Sequence, residues 1–135
     1  MRIRKCEKKD LEEIYKIEIL SFKYPYPSFV FHEYLDKLFF VIEENNKIVG
    51  YVIADNERNL IVSIAIHPDY RRKGYGKMLM RHVMRFMRGE IILQVRKSNK
   101  IAINFYKKLG FEEKTELKRY YIDGEDAILM SKKID

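Results

Sequence analysis

Apolar and polar positions alternate along the chain with two periods, and the switches between them mark the expected elements. Arg2 to Cys6 reads as a short first strand. Asp10 to Leu20 then sets Leu11, Ile14, Tyr15, Ile17 and Leu20 on roughly one face, the spacing of an amphipathic helix. Tyr24-Pro25-Tyr26-Pro27 stops that helix, because each proline disfavours helical backbone in the residue before it. Ser28 stands where it can cap a second helix through Phe29, Phe31, His32, Leu35 and Leu38. Phe39 to Glu43 and Ile48 to Ala54 are apolar runs flanking Glu44-Asn45-Asn46-Lys47, a turn whose asparagines tolerate positive φ, so they predict a β-hairpin. Leu60 to Ile66 supplies another strand, and from Gly76 the positions Met78, Leu79, Val83, Phe86 and Met87 recur at helical spacing and end before Gly89. Ile91 to Val95 is a short strand, and Asn99 to Leu109 is a helix closed by Gly110. Lys114 to Ile122 and Asp126 to Ser131 are two last strands joined through Asp123-Gly124.

The order β-α-α-β-β-β-α-β-α-β-β mixes hairpin-linked strands with crossover helices and predicts a mixed α/β or α+β sheet with helices on both faces. A length of 135 residues suits a single domain over 1-135. Cys6 has no second thiol for a disulfide or a zinc site, the first residues carry no apolar signal run, and no apolar stretch is long enough to span a bilayer. A cytoplasmic protein that does not enter membranes is expected. The net charge of +7 serves either solubility or an attraction to anionic partners. His32, His67 and His82 are too scattered to form a ligand cluster, so no metal is expected.

The strand Leu60 to Ile66 runs through a short polar loop straight into a helix, and that loop carries Arg71-Arg72-Lys73-Gly74-Tyr75-Gly76. N–H groups at a helix start point at a bound anion, the helix dipole favours negative charge there, and glycines let backbone approach phosphate oxygens closely. A dinucleotide fingerprint would need glycine where Leu79 stands, and a phosphate-binding Walker loop would need Ser or Thr at Met78. A plain strand-to-helix turn with solvated charges is the other reading of this hexapeptide.

Arg71-x-x-Gly74-x-Gly76 after a strand resembles the acetyl-CoA motif of the GNAT N-acetyltransferases, and the element order matches that fold over essentially the whole chain. Val62 to Tyr70 before the motif, and Val95-Arg96-Lys97-Ser98-Asn99, Tyr106, Gly110-Phe111 and Arg119 to Ala127 after it, are similar to protein N-terminal acetyltransferases of the ribosomal-protein alanine and archaeal types. The resemblance implies that acetyl-CoA is the co-substrate. Its pantetheine arm would lie along the backbone of Ile64, Ala65 and Ile66, its pyrophosphate on Arg71, Arg72, Lys73, Gly74, Tyr75 and Gly76, and Asn99 would also face it. It implies Tyr106 as the general acid for the departing thiolate, and Phe22, Tyr24, Tyr26, Tyr120 and Tyr121 as contacts of the substrate peptide.

At the position where the bacterial enzymes carry a glutamate base, this chain has Gln94, which cannot take up a proton near neutral pH. Gln94 is therefore expected only to position a water or the amine, and the base is unassigned. Protein N-termini, ribosomal proteins among them, are the expected partners, with no direct nucleic-acid binding and a monomeric or weakly dimeric state. Acetylation of a small-molecule amine, or acetyl-CoA binding without catalysis, are the alternatives.

Overall fold

One unit of the chain, Met1–Phe86, holds a four-strand antiparallel ladder; the other, Met87–Asp135, a three-strand one. The structure is a computed structural model and describes residues 1–135. Its elements are β1 (Arg2–Lys5), α1 (Leu11–Ser21), α2 (Ser28–Glu33), β2 (Leu38–Glu44), β3 (Lys47–Asp55), β4 (Leu60–Ile66), α3 (Tyr75–Met84), β5 (Gly89–Arg96), α4 (Lys100–Lys108), β6 (Glu112–Leu117) and β7 (Ala127–Ile134). The fold is thus mixed α/β with antiparallel pairing, as the hydrophobic pattern predicts.

In Met1–Phe86 the ladder runs β1-β2-β3-β4. Asn45 and Asn46 both adopt positive φ, 52° and 64°, the backbone that a tight hairpin turn between right-twisting strands requires. Leu11, Ile14 and Ile17 of α1 pack with Phe31, Phe39, Val41, Tyr51 and Ile53 into one apolar cluster. Its centre is aromatic: the Phe31 ring meets Tyr51 edge-on at 5.9 Å and Tyr15 at 5.8 Å. A register shift opposite Ile53 and Ala54 leaves Val62 of β4 without a cross-strand partner, a β-bulge. Gly50 of β3 lies against Ile66 so closely that a Cβ there would stand 2.5 Å from the Ile66 Cδ1.

In Met87–Asp135, β7 pairs with β5 on one side and β6 on the other. Strand β6 is Glu112-Glu113-Lys114-Thr115-Glu116-Leu117 and almost wholly exposed, a charged strand of the kind that resists pairing with another chain. Asn99 caps α4 by accepting from the Ala102 N–H at 3.1 Å, and Gly110 closes the helix with φ 97°.

Four sequence expectations need correction. Helix α2 ends at Glu33, because Leu38 is claimed by β2, opposite Ala54, and ladder pairing outweighs helical spacing. Ser28 is the first residue of α2 and not its cap, a place taken by Pro27. Leu20, Met78 and Phe86, expected on buried faces, are exposed, with Met80 and Met84 filling the buried face of α3. The strand expected to reach Ile122 stops at Leu117: Arg119 takes φ 51° and gives its N–H to the Asp126 carboxylate at 2.9 Å, so Tyr120 and Tyr121 lie in the loop between β6 and β7.

Candidate functional site

The loop between β4 and α3 is shaped by its backbone. Arg72 and Gly74 both take positive φ, 65° and 82°, and Gly74 is the residue from which α3 starts. The helical hydrogen bonds begin with Met78 N–H to Gly74 C=O at 3.1 Å, which leaves the N–H groups of Tyr75, Gly76 and Lys77 ahead of the ladder. Such a start is a donor cradle for an anion.

The side chains of this loop are largely occupied by the protein itself. Arg71 donates through Nε to the Ile66 carbonyl at 2.9 Å and through a terminal nitrogen to Ser21 Oγ at 3.3 Å, tying the loop to the end of β4 and of α1. Lys73 Nζ lies 3.1 Å from Glu44 and 5.2 Å from the centre of the Tyr70 ring. Tyr75 is buried and its hydroxyl also donates to Glu44. The Tyr75 hydroxyl and the Lys73 ammonium hold the Glu44 carboxyl below its ordinary range. Arg71, Lys73 and Tyr75 therefore brace the loop, while Arg72 is exposed. Ile64, Ala65 and Ile66 lead into it, standing opposite Val52, Tyr51 and Gly50 of β3 in the ladder.

Phe22, Tyr24 and Tyr26, all exposed, form an aromatic loop between α1 and α2. Its anchor is a residue that the sequence reading passed over. Glu18 of α1 is 1% exposed, accepts the Tyr26 N–H at 3.0 Å, and accepts the hydroxyl of the fully buried Tyr51, which lies 3.1 Å from Ser63 Oγ of β4. Burial pushes the Glu18 carboxyl upward, and the bonds from Tyr51 and Tyr26 oppose that only in part. A signal was present: Glu18 falls on the stripe begun by Leu11 and Ile14, where helical spacing calls for an apolar residue.

In Met87–Asp135, Gln94 sits half-buried on β5 opposite Leu129. Tyr106 is half-buried as a residue and packs edge-on against Phe105 and Phe111. Desolvation, with a smaller contribution from Tyr121, raises the phenol above the ordinary tyrosine range. It therefore keeps its proton through the whole physiological range. The Asn99 side-chain oxygen caps α4, so what this side chain can still offer a ligand is its amide N–H.

Tyr121 is held by Arg96, whose guanidinium lies 4.1 Å from the ring centre. Arg96 also pairs with Asp123 at 3.0 Å and Glu125 at 2.9 Å, and Glu125 accepts the Ser98 N–H at 3.0 Å. Tyr120 stacks edge-on against Tyr121 at 5.0 Å and is exposed. Arg96, Asp123 and Glu125 thus fix an aromatic turn whose order a sequence shows only as a charged run.

Residues 9–111 match the acetyltransferase (GNAT) family. The chain belongs to that family. Among GNAT proteins it is 39% identical to an N-alpha-acetyltransferase of Sulfurisphaera tokodaii over 96% of this chain and 91% of that one. It is 34% identical to the ribosomal protein bS18-alanine N-acetyltransferase of Escherichia coli K12, over 96% of this chain and 95% of that one. Its fold superposes on the crystal structure of Ard1 from Thermoplasma volcanium with a TM-score of 0.92 at 27% identity, covering 99% and 98% of the two chains. A GNAT chain uses acetyl-CoA as donor, and the cradle at α3 has the donor chemistry that a pyrophosphate needs. The resemblance noted in the sequence is thereby confirmed at the level of family, fold and acetyl transfer.

Proposed function

We propose that this GNAT chain transfers the acetyl group of acetyl-CoA to the N-terminal α-amine of proteins or peptides, acting as one domain over residues 1–135. The observation that carries the reading is the alignment of this chain, almost end to end, with a named N-alpha-acetyltransferase; Tyr106, packed against Phe105 and Phe111, supplies the general acid. Backbone N–H groups of Gly74 to Lys77, with Arg72, hold the pyrophosphate, and Arg71, Lys73 and Tyr75 keep that loop in shape. The β4 backbone at Ile64 to Ile66 and the Asn99 amide take the pantetheine arm. Phe22, Tyr24, Tyr26, Tyr120 and Tyr121 receive the peptide.

The neutral amine nitrogen attacks the thioester carbonyl carbon, a C–N bond forms, and the carbonyl oxygen becomes an oxyanion. Collapse reforms the carbonyl and breaks the C–S bond, Tyr106 protonates the leaving sulfur, and the amine proton passes to water positioned by Gln94. Tyr106 regains its proton from solvent. No dedicated base is required, since an α-amine of pKa near 8 is roughly a tenth neutral at pH 7, whereas a lysine side chain is neutral less than about one part in a thousand. Ribosomal proteins are the partner class suggested by the E. coli relative's name. A cytoplasmic location and a monomeric or weakly dimeric state belong to the same reading, in which the single, buried Cys6 forms no disulfide.

The test is to incubate the protein with acetyl-CoA and short peptides of varied first residues, with free lysine and spermine as controls. Acetylated peptide α-amines are expected; product on the small amines alone would overturn the reading. Tyr106→Phe should lower kcat by about 100-fold or more. Gln94→Glu should keep or raise the rate near neutral pH, and a complete loss would refute the positioning role.

A further inference from the structure

The buried carboxylate of Glu18 is used by nothing in the reaction just described, yet it is among the least exposed polar groups of the chain. Hydrophobic stabilisation alone would favour leucine there, on the same stripe as Leu11 and Ile14. What the carboxylate does instead is join separate segments. One oxygen accepts the main-chain N–H of Tyr26, in the middle of the Tyr24-Pro25-Tyr26-Pro27 run. The other accepts the Tyr51 hydroxyl from β3, and that hydroxyl reaches Ser63 Oγ on β4. Tyr51 is clamped in turn by the Phe31 and Phe39 rings, at 5.9 and 6.2 Å. The chain of contacts therefore runs from the β4 strand through an immobile phenol to one particular backbone amide of an otherwise exposed loop.

The placement has a consequence for that loop. Prolines at 25 and 27 have no N–H, so between Tyr24 and Ser28 the Tyr26 amide is the one main-chain donor. Fixing it fixes the path of the aromatic segment, and a carboxylate, with two oxygens and only acceptor character, can hold an amide and a hydroxyl at once. We propose that Glu18 is a positioning residue for the acceptor peptide: it holds the Tyr24–Pro27 loop, through Tyr26 N–H, in the conformation that receives the substrate N-terminus. This rests on the reading of that loop as the peptide contact. Glu18 itself touches no reacting atom.

The role separates from a merely structural one by which substrate it affects. Glu18→Leu should raise the KM for peptide about tenfold, the loss of one hydrogen bond to a charged group. In the same protein acetyl-CoA affinity and kcat at saturating peptide should change by less than about threefold, since neither depends on how well the loop is held. Glu18→Gln keeps an acceptor for Tyr26 and a partner for the Tyr51 oxygen, and should bring the peptide KM back to within about threefold of the parent. A folded Glu18→Leu protein with an unchanged peptide KM overturns the proposal, as does a fall in acetyl-CoA affinity parallel to the loss in peptide affinity. Amide hydrogen exchange on the unaltered protein gives a reading independent of any variant's folding. The Tyr26 N–H should exchange far more slowly than that of Lys23, and equal rates would overturn the anchor. If the parent acetylates no peptide at all, the reading of the function fails, while the exchange of Tyr26 still decides the anchor.

Discussion

Helix α1 carries a buried carboxylate near each end, and the two are held by opposite means. Asp10, just before its first turn, receives two bonds from the Arg4 guanidinium, at 2.7 and 3.0 Å, and the Glu7 N–H at 2.8 Å. Arg4 overcomes the cost of burial and holds Asp10 below the ordinary carboxylate range. Glu18, two turns on, has only neutral donors, and burial wins, raising it. Same helix, same chemistry, opposite shift: the sign follows from whether the partner is a cation or a dipole. The first arrangement secures the fold at the chain's start; the second leaves a charge whose cost is accepted in order to hold a loop.

The largest effect expected from this contrast is on stability. Arg4→Leu strands the Asp10 charge in a 4% exposed site and should lower unfolding free energy by about 3 kcal/mol in urea titrations at pH 7. Glu18→Gln should change it by less than about 1 kcal/mol, because a desolvated charge is removed while acceptor capacity remains. If the Glu18 substitution proves as costly as that of Arg4, the contrast between the two ends is wrong.

Acidification sharpens the comparison by sign. Asp10, lowered in the fold, contributes stability that is full above its ordinary value of 3.8 and disappears as pH falls through its depressed native value. Glu18, raised in the fold, contributes most at and below its ordinary 4.5 and loses ground as pH rises from there through its native value. The stability of the parent relative to Glu18→Gln should therefore increase between pH 7 and 4.5. Relative to Asp10→Asn it should hold steady there and shrink only at lower pH. Melting curves of the three proteins over that range check both. The smallest effect belongs to the exposed face between the two carboxylates: Lys16→Met breaks the Lys16–Glu13 pair and should shift stability by under about 0.5 kcal/mol.

Much of this was legible in the sequence. The hairpin turn at Asn45-Asn46, the span Leu60–Ile66 and the stop at Gly110 follow from local chemistry, which is why they were readable. Elements decided by distant partners were not. Leu38 joins a strand because Ala54 stands opposite, and β6 ends because Asp126 captures the Arg119 N–H, neither of which spacing reveals. At the site, the resemblance implied a pyrophosphate on residues 71 to 76; what residue types did not show is that the Arg71, Lys73 and Tyr75 side chains also bond to Ile66, Ser21 and Glu44. The clamp on Tyr121 required knowing that Arg96 lies near Asp123 and Glu125, which only folding brings about.

Glu44 closes β2 at the very edge of the Asn45-Asn46 turn, and from there it grips both Lys73 and Tyr75. A surface hairpin is ordinarily the place where a chain tolerates insertions and accepts peptide tags. Here a slip of one residue between β2 and β3 would turn Glu44 to the other side of the sheet and leave the loop before α3 without its brace. The length of this turn is thus tied to the shape of the loop before α3, and an engineer seeking a permissive site should look elsewhere.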